Sequence, residues 1–257
     1  MSSTEAVTLT ATALPGLPLV QPGDNLVEII LAGVARAGLT LQTGDALVIA
    51  SKIVSKSEGR FVDLYTVQPT SEAQRLATET HKDARIVQLV LDESRALSRT
   101  APGVLVVTHR LGFTSANAGI DQSNVEHGDT RVLLLPHDPD ASAQRIRQGL
   151  RAAAGVDVGV IISDSHGRPF RVGNVGVAIG VAGMPAVLDL RGRPDLFGRH
   201  LKISIQAYAD LVASAAHLLT GEADEGRPVV LLRGLRFAPL AGTAAELNRP
   251  PEMDLYR

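Results

Sequence analysis

The segment from Val156 to Gly183, VDVGVIISDSHGRPFRVGNVGVAIGVAG, constrains the fold more than any other. Val158, Val160, Ile161 and Ile162 form an apolar, β-branched run, which predicts a buried strand. The run stops at Asp164, Ser165 and His166, followed by Gly167, Arg168, Pro169, Phe170, Arg171 and Gly173. A buried strand that delivers a carboxylate and a hydroxyl onto a glycine- and arginine-rich loop is one way metal–phosphate sites are built. The strand fixes the ligand, the glycines let backbone approach an anion, and the arginines offer planar forks to phosphate or carboxylate. The same residues also describe a strand followed by an ordinary turn, where Asp and Gly are common. His166 is ambiguous between a hydrogen-bonding role and ligation.

Bulk properties narrow the chemistry. A chain of 257 residues can build one large core or two modest ones. A formal net charge of −2 argues against a general nucleic-acid binder, and the lack of Trp argues against base-stacking platforms. No stretch approaches the roughly 18 apolar residues of a membrane span. The start, MSSTEAVTLTATALPG, has no basic region followed by an apolar core, so no signal peptide is expected. The chain contains no cysteine, which excludes disulfides, thiolate catalysis and Cys-based zinc sites and fits a cytoplasmic protein. Any metal must be held by oxygen or imidazole ligands.

Along the chain, Asp24 or Asn25 is placed to cap a helix through about Ala37, with Leu26, Ile29, Ile30 and Val34 on one face. Ala46 to Ile53 predicts a buried strand, Thr70 to about Lys82 an amphipathic helix, and Ile86 to Leu91 a short apolar run. Gly103 to Thr108 and Val132 to Leu135 predict strands. Asp138-Pro139-Asp140 starts a helix running to about Ala154, Ala207 to Leu219 is a helical run ended by Gly221, and Val229 to Leu232 is a late strand. The elements do not follow a strict βαβ rhythm and no linker separates them. The expected class is α+β, with interwoven sheets and helices in a single unit over 1–257 and residues 1–13 as a flexible or strand-forming extension.

Three further clusters carry possible chemistry. Lys52 and Lys56, two of only four lysines, lie in Ser51-Lys52-Ile53-Val54-Ser55-Lys56. On a continuing strand they share a face and suit nucleotide phosphates, or else they are solvated lysines beside Glu58. Leu111 to Asn124, LGFTSANAGIDQSN, sets Asn117, Asp121, Ser123 and Asn124 among small residues. It is either an oxygen-rich setting for Mg²⁺ or Mn²⁺ or an Asx-rich turn. Asp189 to Arg199, DLRGRPDLFGR, is either a site for an acidic substrate or a salt-bridged surface loop. No Walker A, guanine-reading Asn-Lys-x-Asp or Rossmann fingerprint is present, so a nucleotide site would be of another design.

Taken together and in order, SKIVSKSEGR, LGFTSANAGIDQSN, ISDSHGRPFRVGNVGVAIGVAG and DLRGRPDLFGRHL closely resemble the coenzyme F-420:L-glutamate ligase family. The resemblance runs from about Leu14 to Arg257 and includes the ending AAELNRPPEMDLYR. It is to the form without a fused flavin-binding, nitroreductase-like C-terminal domain. It implies an unusual α+β fold forming an intertwined homodimer. It also implies a groove for GTP with one or two Mg²⁺ or Mn²⁺ ions, and activity that potassium can stimulate. The implied reaction is GTP-dependent addition of L-glutamate to the deazaflavin precursor of coenzyme F-420, through an acyl phosphate.

Carried over residue by residue, the resemblance makes Leu17, Pro18, Leu19 and Val20 an N-terminal nucleotide contact. Ser51, Lys52, Lys56 and Asn124 become further nucleotide positions, and Asp121 and Asp164 metal carboxylates, with Lys56 counted among the catalytic positions. Ser165 stands where Thr is usual, preserving a hydroxyl for the metal. One stretch departs: where the family usually reads T-[E/Q]-V-A-x-A-D-E, this chain has Ser204 to Leu211, SIQAYADL. Ile205 falls where a second-metal ligand is expected, and Gln206, about 100° away on a helix, is the replacement candidate. That departure keeps two rivals open: a related ligase acting on another carboxylate, and a non-catalytic nucleotide- or deazaflavin-binding paralogue.

Overall fold

Three apolar runs expected as strands lie side by side in one sheet because each is apolar on both faces. In the computed structural model, which describes residues 6–126, 128–237 and 241–253, the strands are β1 (Thr10–Ala13), β2 (Ala46–Ala50), β8 (Gly159–Arg168), β9 (Arg171–Ala182) and β12 (Val229–Arg233). Their order is β1-β12-β2-β8-β9, and β2 and β8 are parallel within an otherwise antiparallel sheet. Alternate side chains feed two cores. Leu47, Ile49, Val160, Ile162, Val229 and Leu231 pack on helices α1 (Leu26–Arg36) and α5 (Pro139–Ala154). Val48, Ile161, Val230 and Leu232 pack on α6 (Tyr208–Thr220). Burial on both faces explains why the runs lack polar alternation.

A second layer supports the site from the side. Strands β4 (Ser94–Ala101), β5 (Val104–His109) and β6 (Thr114–Ala116) form one sheet, and β3 (Phe61–Asp63) pairs with β7 (Arg131–Leu133). Helices α3 (Ser71–Thr80) and α4 (Ala84–Asp92) close over them around Leu64, Leu76, Val87, Val90, Leu105, Val107 and Val132. The fold is therefore mixed α and β with mixed sheets, within the expected class.

Local signals place most helix starts. Asn25 accepts from the Val27 N–H, Thr70 from Ala73 and Asp138 from Ala141, each an N-cap. Two expectations are corrected, and one apolar run gains an element. The strand predicted over Ala46 to Ile53 stops at Ala50, and Ser51–Ser57 is helix α2. Ile86 to Leu91 is the body of α4. The Gly/Arg-rich stretch after His166 is the tip of a long β8–β9 hairpin rather than a loop.

β9 is an edge strand, and side chains cover two of its outward N–H groups, as blunting an exposed edge requires. Asp140 accepts from Val181 and Asp210 accepts from Ala178, and burial pushes both carboxyls above their ordinary range. The N-terminal extension supplies β1; residues 1–5 and 254–257 lie outside the described residues. No described helix is long and apolar enough to cross a membrane.

Candidate functional site

The C-terminal end of β2 and the stretch of β8 just past their parallel pairing, Ser163 to Ser165, open into a groove of about 960 Å³. Ligand sites in open α/β sheets favour this position, where strand ends deliver side chains beside a helix start. Ser51, the first residue of α2, is buried and donates to Asp164 Oδ1 at 3.0 Å across 113 residues of sequence. Parallel pairing of Ala50 with Ser163 sets that register.

The two lysines do share a face, but of a helix: at i and i+4 on α2 they project together. Lys52 Nζ donates to Ser123 O at 3.0 Å and lies 3.4 Å from Asp121 Oδ2. Lys56 Nζ donates to Asn124 O at 2.7 Å. Burial, then the charge of Lys52, lowers the Lys56 pKa. An anion arriving between these ammonium groups relieves that repulsion.

The loop after β6 carries the second carboxylate. Asn117, Ala118 and Gly119 take left-handed backbone angles in succession, which folds the chain sharply inward. A Cβ on Gly119 would stand 2.8 Å from Leu135 Cδ1 and 3.5 Å from Asp164 Oδ2, so only glycine lets the loop close against β8. Asp121 then exchanges backbone hydrogen bonds with Leu133. Burial raises the Asp121 carboxyl pKa against the pull of Lys52, with Asp164 and Glu222 adding to the rise.

Leu17, Pro18, Leu19 and Val20 line one wall of the groove, with Leu19 85% exposed. Asn124, at φ 54°, lines it too and donates to Ala223 O at 3.0 Å. Ser165 donates to Glu222 Oε1 at 2.9 Å. Glu222 was missed by sequence reasoning. It follows the glycine that ends α6, and that position was its only local signal. His166 Nε2 donates to Asp164 Oδ2 at 3.0 Å, the hydrogen-bonding alternative for this residue.

Gln206 is corrected. Residues 205 and 206 form the short strand β11 (Ile205–Gln206), paired with β10 (Leu188–Asp189), and the helix starts only at Tyr208. The 100° helical rotation therefore does not apply, and exposed Gln206 is not among the groove-lining residues. In the Asp189 to Arg199 loop, Arg191 pairs with Asp189 at 2.6 Å and Arg199 with Asp195 at 3.0 Å, the salt-bridged reading.

Behind the groove, Glu93 is gripped by Arg60 at 3.1 Å and Arg110 at 2.7 Å, with His109 Nε2 at 3.6 Å. Burial would raise its carboxyl, but His109, Arg110 and Arg60 outweigh it and lower the pKa from 4.5 to about 2. A depressed carboxyl stabilises the fold above its unfolded value and loses that stabilisation as pH falls through the folded one. Wild-type stability is therefore expected to fall between pH 4.5 and about 2. Glu93→Gln should be less stable at pH 7 and show a flatter acid limb by urea titration. An unchanged acid limb would count against this role.

This geometry, a cation pair facing a carboxylate pair at a strand–helix junction, is chemically suited to a phosphorylated ligand. The family model described as F420-0:Gamma-glutamyl ligase matches residues 16–234. A protein named coenzyme F420:L-glutamate ligase from Methanopyrus kandleri is 46% identical over 93% of both chains. Those of the same name from Methanothermobacter thermautotrophicus and Methanocaldococcus jannaschii are 44% and 43% identical, over 94% of this chain and 96% and 94% of their own. The chain belongs to the F420-0:gamma-glutamyl ligase family.

Proposed function

We propose that this protein is a GTP-dependent ligase that joins L-glutamate to the deazaflavin precursor of coenzyme F-420 through a γ-glutamyl amide bond. The observation that carries the reading is the convergence of Ser51, Lys52, Lys56, Asp121, Asn124 and Asp164 on one groove, in a chain 46% identical to a relative bearing that name. A carboxylate oxygen of the precursor attacks the γ-phosphorus of GTP, and GDP leaves. The amine of glutamate then attacks the acyl carbon, phosphate leaves, and the amine gives up a proton. Phosphoryl transfer of this kind depends on positioning and charge neutralisation, which the lysines and the N–H and O–H donors of the groove provide.

The donor set fits a divalent cation. Burial raises the Asp121 carboxyl, the charge of Asp164 adds to the rise, and a cation between them would relieve that repulsion. Among the described residues, no group of three or more His, Asp or Glu side chains is placed to hold an ion alone. Mg²⁺ and Mn²⁺ sites of one or two carboxylates are ordinarily completed by substrate phosphates and water. Asp121 and Asp164 would hold the ion, with Ser165 and Glu222 in place of Gln206 as the neighbouring oxygens. When bound, the ion neutralises phosphate charge.

Mass spectrometry of products from the precursor, GTP, Mn²⁺ and glutamate, with and without K⁺, tests the assignment. A product heavier by one or more glutamyl units, with matching GDP release, is expected. GTP turnover only with another carboxylate would mark a different ligase, and binding without turnover a non-catalytic paralogue. Lys56→Ala should weaken GTP binding by about 1.5–3 kcal/mol, the scale of a charge-assisted hydrogen bond. Unchanged affinity by calorimetry would return Lys56 to a solvated role.

The reading includes a cytoplasmic homodimer. Phe170 and Val172 at the β8–β9 tip, and Leu196, Phe197 and Ile203 near the β10–β11 ribbon, are 83–100% exposed, an apolar set that a second copy of the chain would cover. Light scattering should give about twice 27.0 kDa.

A further inference from the structure

His166 lies on β8 beside Asp164 and has no part in the phosphoryl transfer or the nucleotide contacts. Its ring is almost fully enclosed, with 11% of the side chain accessible, beside an Asp164 side chain at 15%. A carboxylate oxygen only accepts, so Nε2 carries the proton in its 3.0 Å bond to Asp164 Oδ2. Ser51 Oγ occupies the other oxygen at 3.0 Å. Asp164 is thus gripped at both oxygens by donors from different strand ends, which leaves its carboxylate plane little freedom.

The imidazole is itself held. Phe113 lies against it, with ring centroids 4.9 Å apart at 52°, and also stacks on His109 at 4.9 Å and 4°. His109 is fully buried. Its Nδ1 accepts from the Leu111 N–H at 3.0 Å, so the proton sits on Nε2, which faces Glu93 Oε2 at 3.6 Å without a hydrogen-bond partner. Glu93 is in turn locked by Arg60 and Arg110. A column of contacts therefore runs from an ion-paired carboxylate through two stacked rings to the ring that touches Asp164. Tilted and offset aromatic contacts of this kind fix ring orientation as well as adding contact energy.

We propose that His166 is a positioning residue that aims Asp164 into the groove, and that the Glu93–His109–Phe113 column holds the His166 ring for that purpose. The inference rests on the reading of Asp164 as a cation-holding carboxylate. Hydrogen-bonding partners of metal-binding carboxylates commonly change metal affinity by 10–100-fold when removed. Phe113 lies against the His166 ring and also packs on the core beside β8, so a loss of metal affinity on its truncation is assigned to His166 only where Phe113→Tyr keeps wild-type affinity.

The test is Mn²⁺ titration, by electron paramagnetic resonance, of the protein saturated with a non-hydrolysable GTP analogue, with kcat and the KM for GTP measured in parallel. Asp164→Asn should nearly abolish binding at the site. His166→Ala should weaken it by roughly 10–100-fold, and Phe113→Ala in the same direction by a smaller factor. His166→Gln should restore most of the affinity, because its amide N–H can replace the Nε2–H donor. Phe113→Tyr should behave as wild type because the ring is kept. In each weakened variant the KM for GTP should hold while kcat at limiting Mn²⁺ falls. If Phe113→Ala fails to fold, Phe113→Leu carries the same expectation. Wild-type Mn²⁺ affinity in His166→Ala, with Asp164→Asn impaired, overturns the positioning role and leaves the reading of Asp164 standing. Wild-type affinity in Asp164→Asn overturns both. Equal loss in Phe113→Ala and Phe113→Tyr, or in His166→Ala and His166→Gln, also overturns the positioning role, since it marks general disruption.

Discussion

Asp164→Asn is expected to lower turnover by a factor on the order of 10² or more, as loss of a preorganised charge at a reacting phosphoryl group does. The substitution keeps shape and volume, and the remaining Oδ1 can still accept from Ser51, which donates to it at 3.0 Å. What changes is charge, together with the oxygen that accepts from His166 Nε2–H, which becomes an amide NH2. Asp121 loses the neighbour that helps raise its carboxyl, and any cation loses one of its two anionic partners. The fold should be little affected, because Asp164 sits at the groove end of β8, beyond the buried apolar stretch from Val160 to Ile162. Steady-state kinetics at limiting Mn²⁺, with a thermal melt alongside, separates the two effects. Near wild-type turnover under those conditions would remove Asp164 from the site.

The second large effect falls on stability. Gly180 of β9 faces α5 so closely that an added Cβ would lie 2.4 Å from Pro139 O and 2.5 Å from its carbonyl carbon. Both atoms are backbone and cannot swing aside. Gly180→Ala must push the first turn of α5 off the sheet edge, and with it Asp140, which caps the Val181 N–H at 2.7 Å. Overpacking of this kind should cost about 3 kcal/mol. For a chain of this size that is a fall in Tm of roughly 6–12 °C. Calorimetry reads it directly, and a melt within 2 °C of wild type would mean that α5 can move away from β9 at little cost.

The helix starts were legible because capping is local chemistry. Asn25, Thr70 and Asp138 each satisfy an N–H two or three residues ahead, and no distant partner is needed. The buried strands β2, β8 and β12 were legible for a related reason: a segment apolar on both faces has few alternatives. Where several were open, reading along the chain failed. Ser51 to Ser57 is short enough to continue a strand or begin a helix, and the choice falls to packing of Ile53 and Val54 into the core under α1 and α5. β4, SRALSRTA, has almost no apolar signal, and it is a strand because β5 lies beside it. Arg171 to Ala182 carries three internal glycines, Gly173, Gly176 and Gly180, which weaken its strand pattern, and it becomes a strand because β8 supplies its ladder.

The site divides in the same way. Residue types and their order determined the family, the nucleotide and carboxylate candidates, and the exclusion of thiol and Cys–zinc chemistry, because those depend on which atoms the chain possesses. Tertiary structure alone decided which candidates meet. Lys52 reaches Asp121 only because α2 and the left-handed turn at Asn117 to Gly119 converge on the same strand ends. Gln206 is held on a ribbon outside the groove, while Glu222, from the turn after α6, reaches Ser165 across 57 residues. The physical reason is range. Capping, burial and ligand chemistry are properties of a residue and its near neighbours, whereas the approach of two carboxylates and an ammonium is fixed by strand register and loop closure, which no single segment contains.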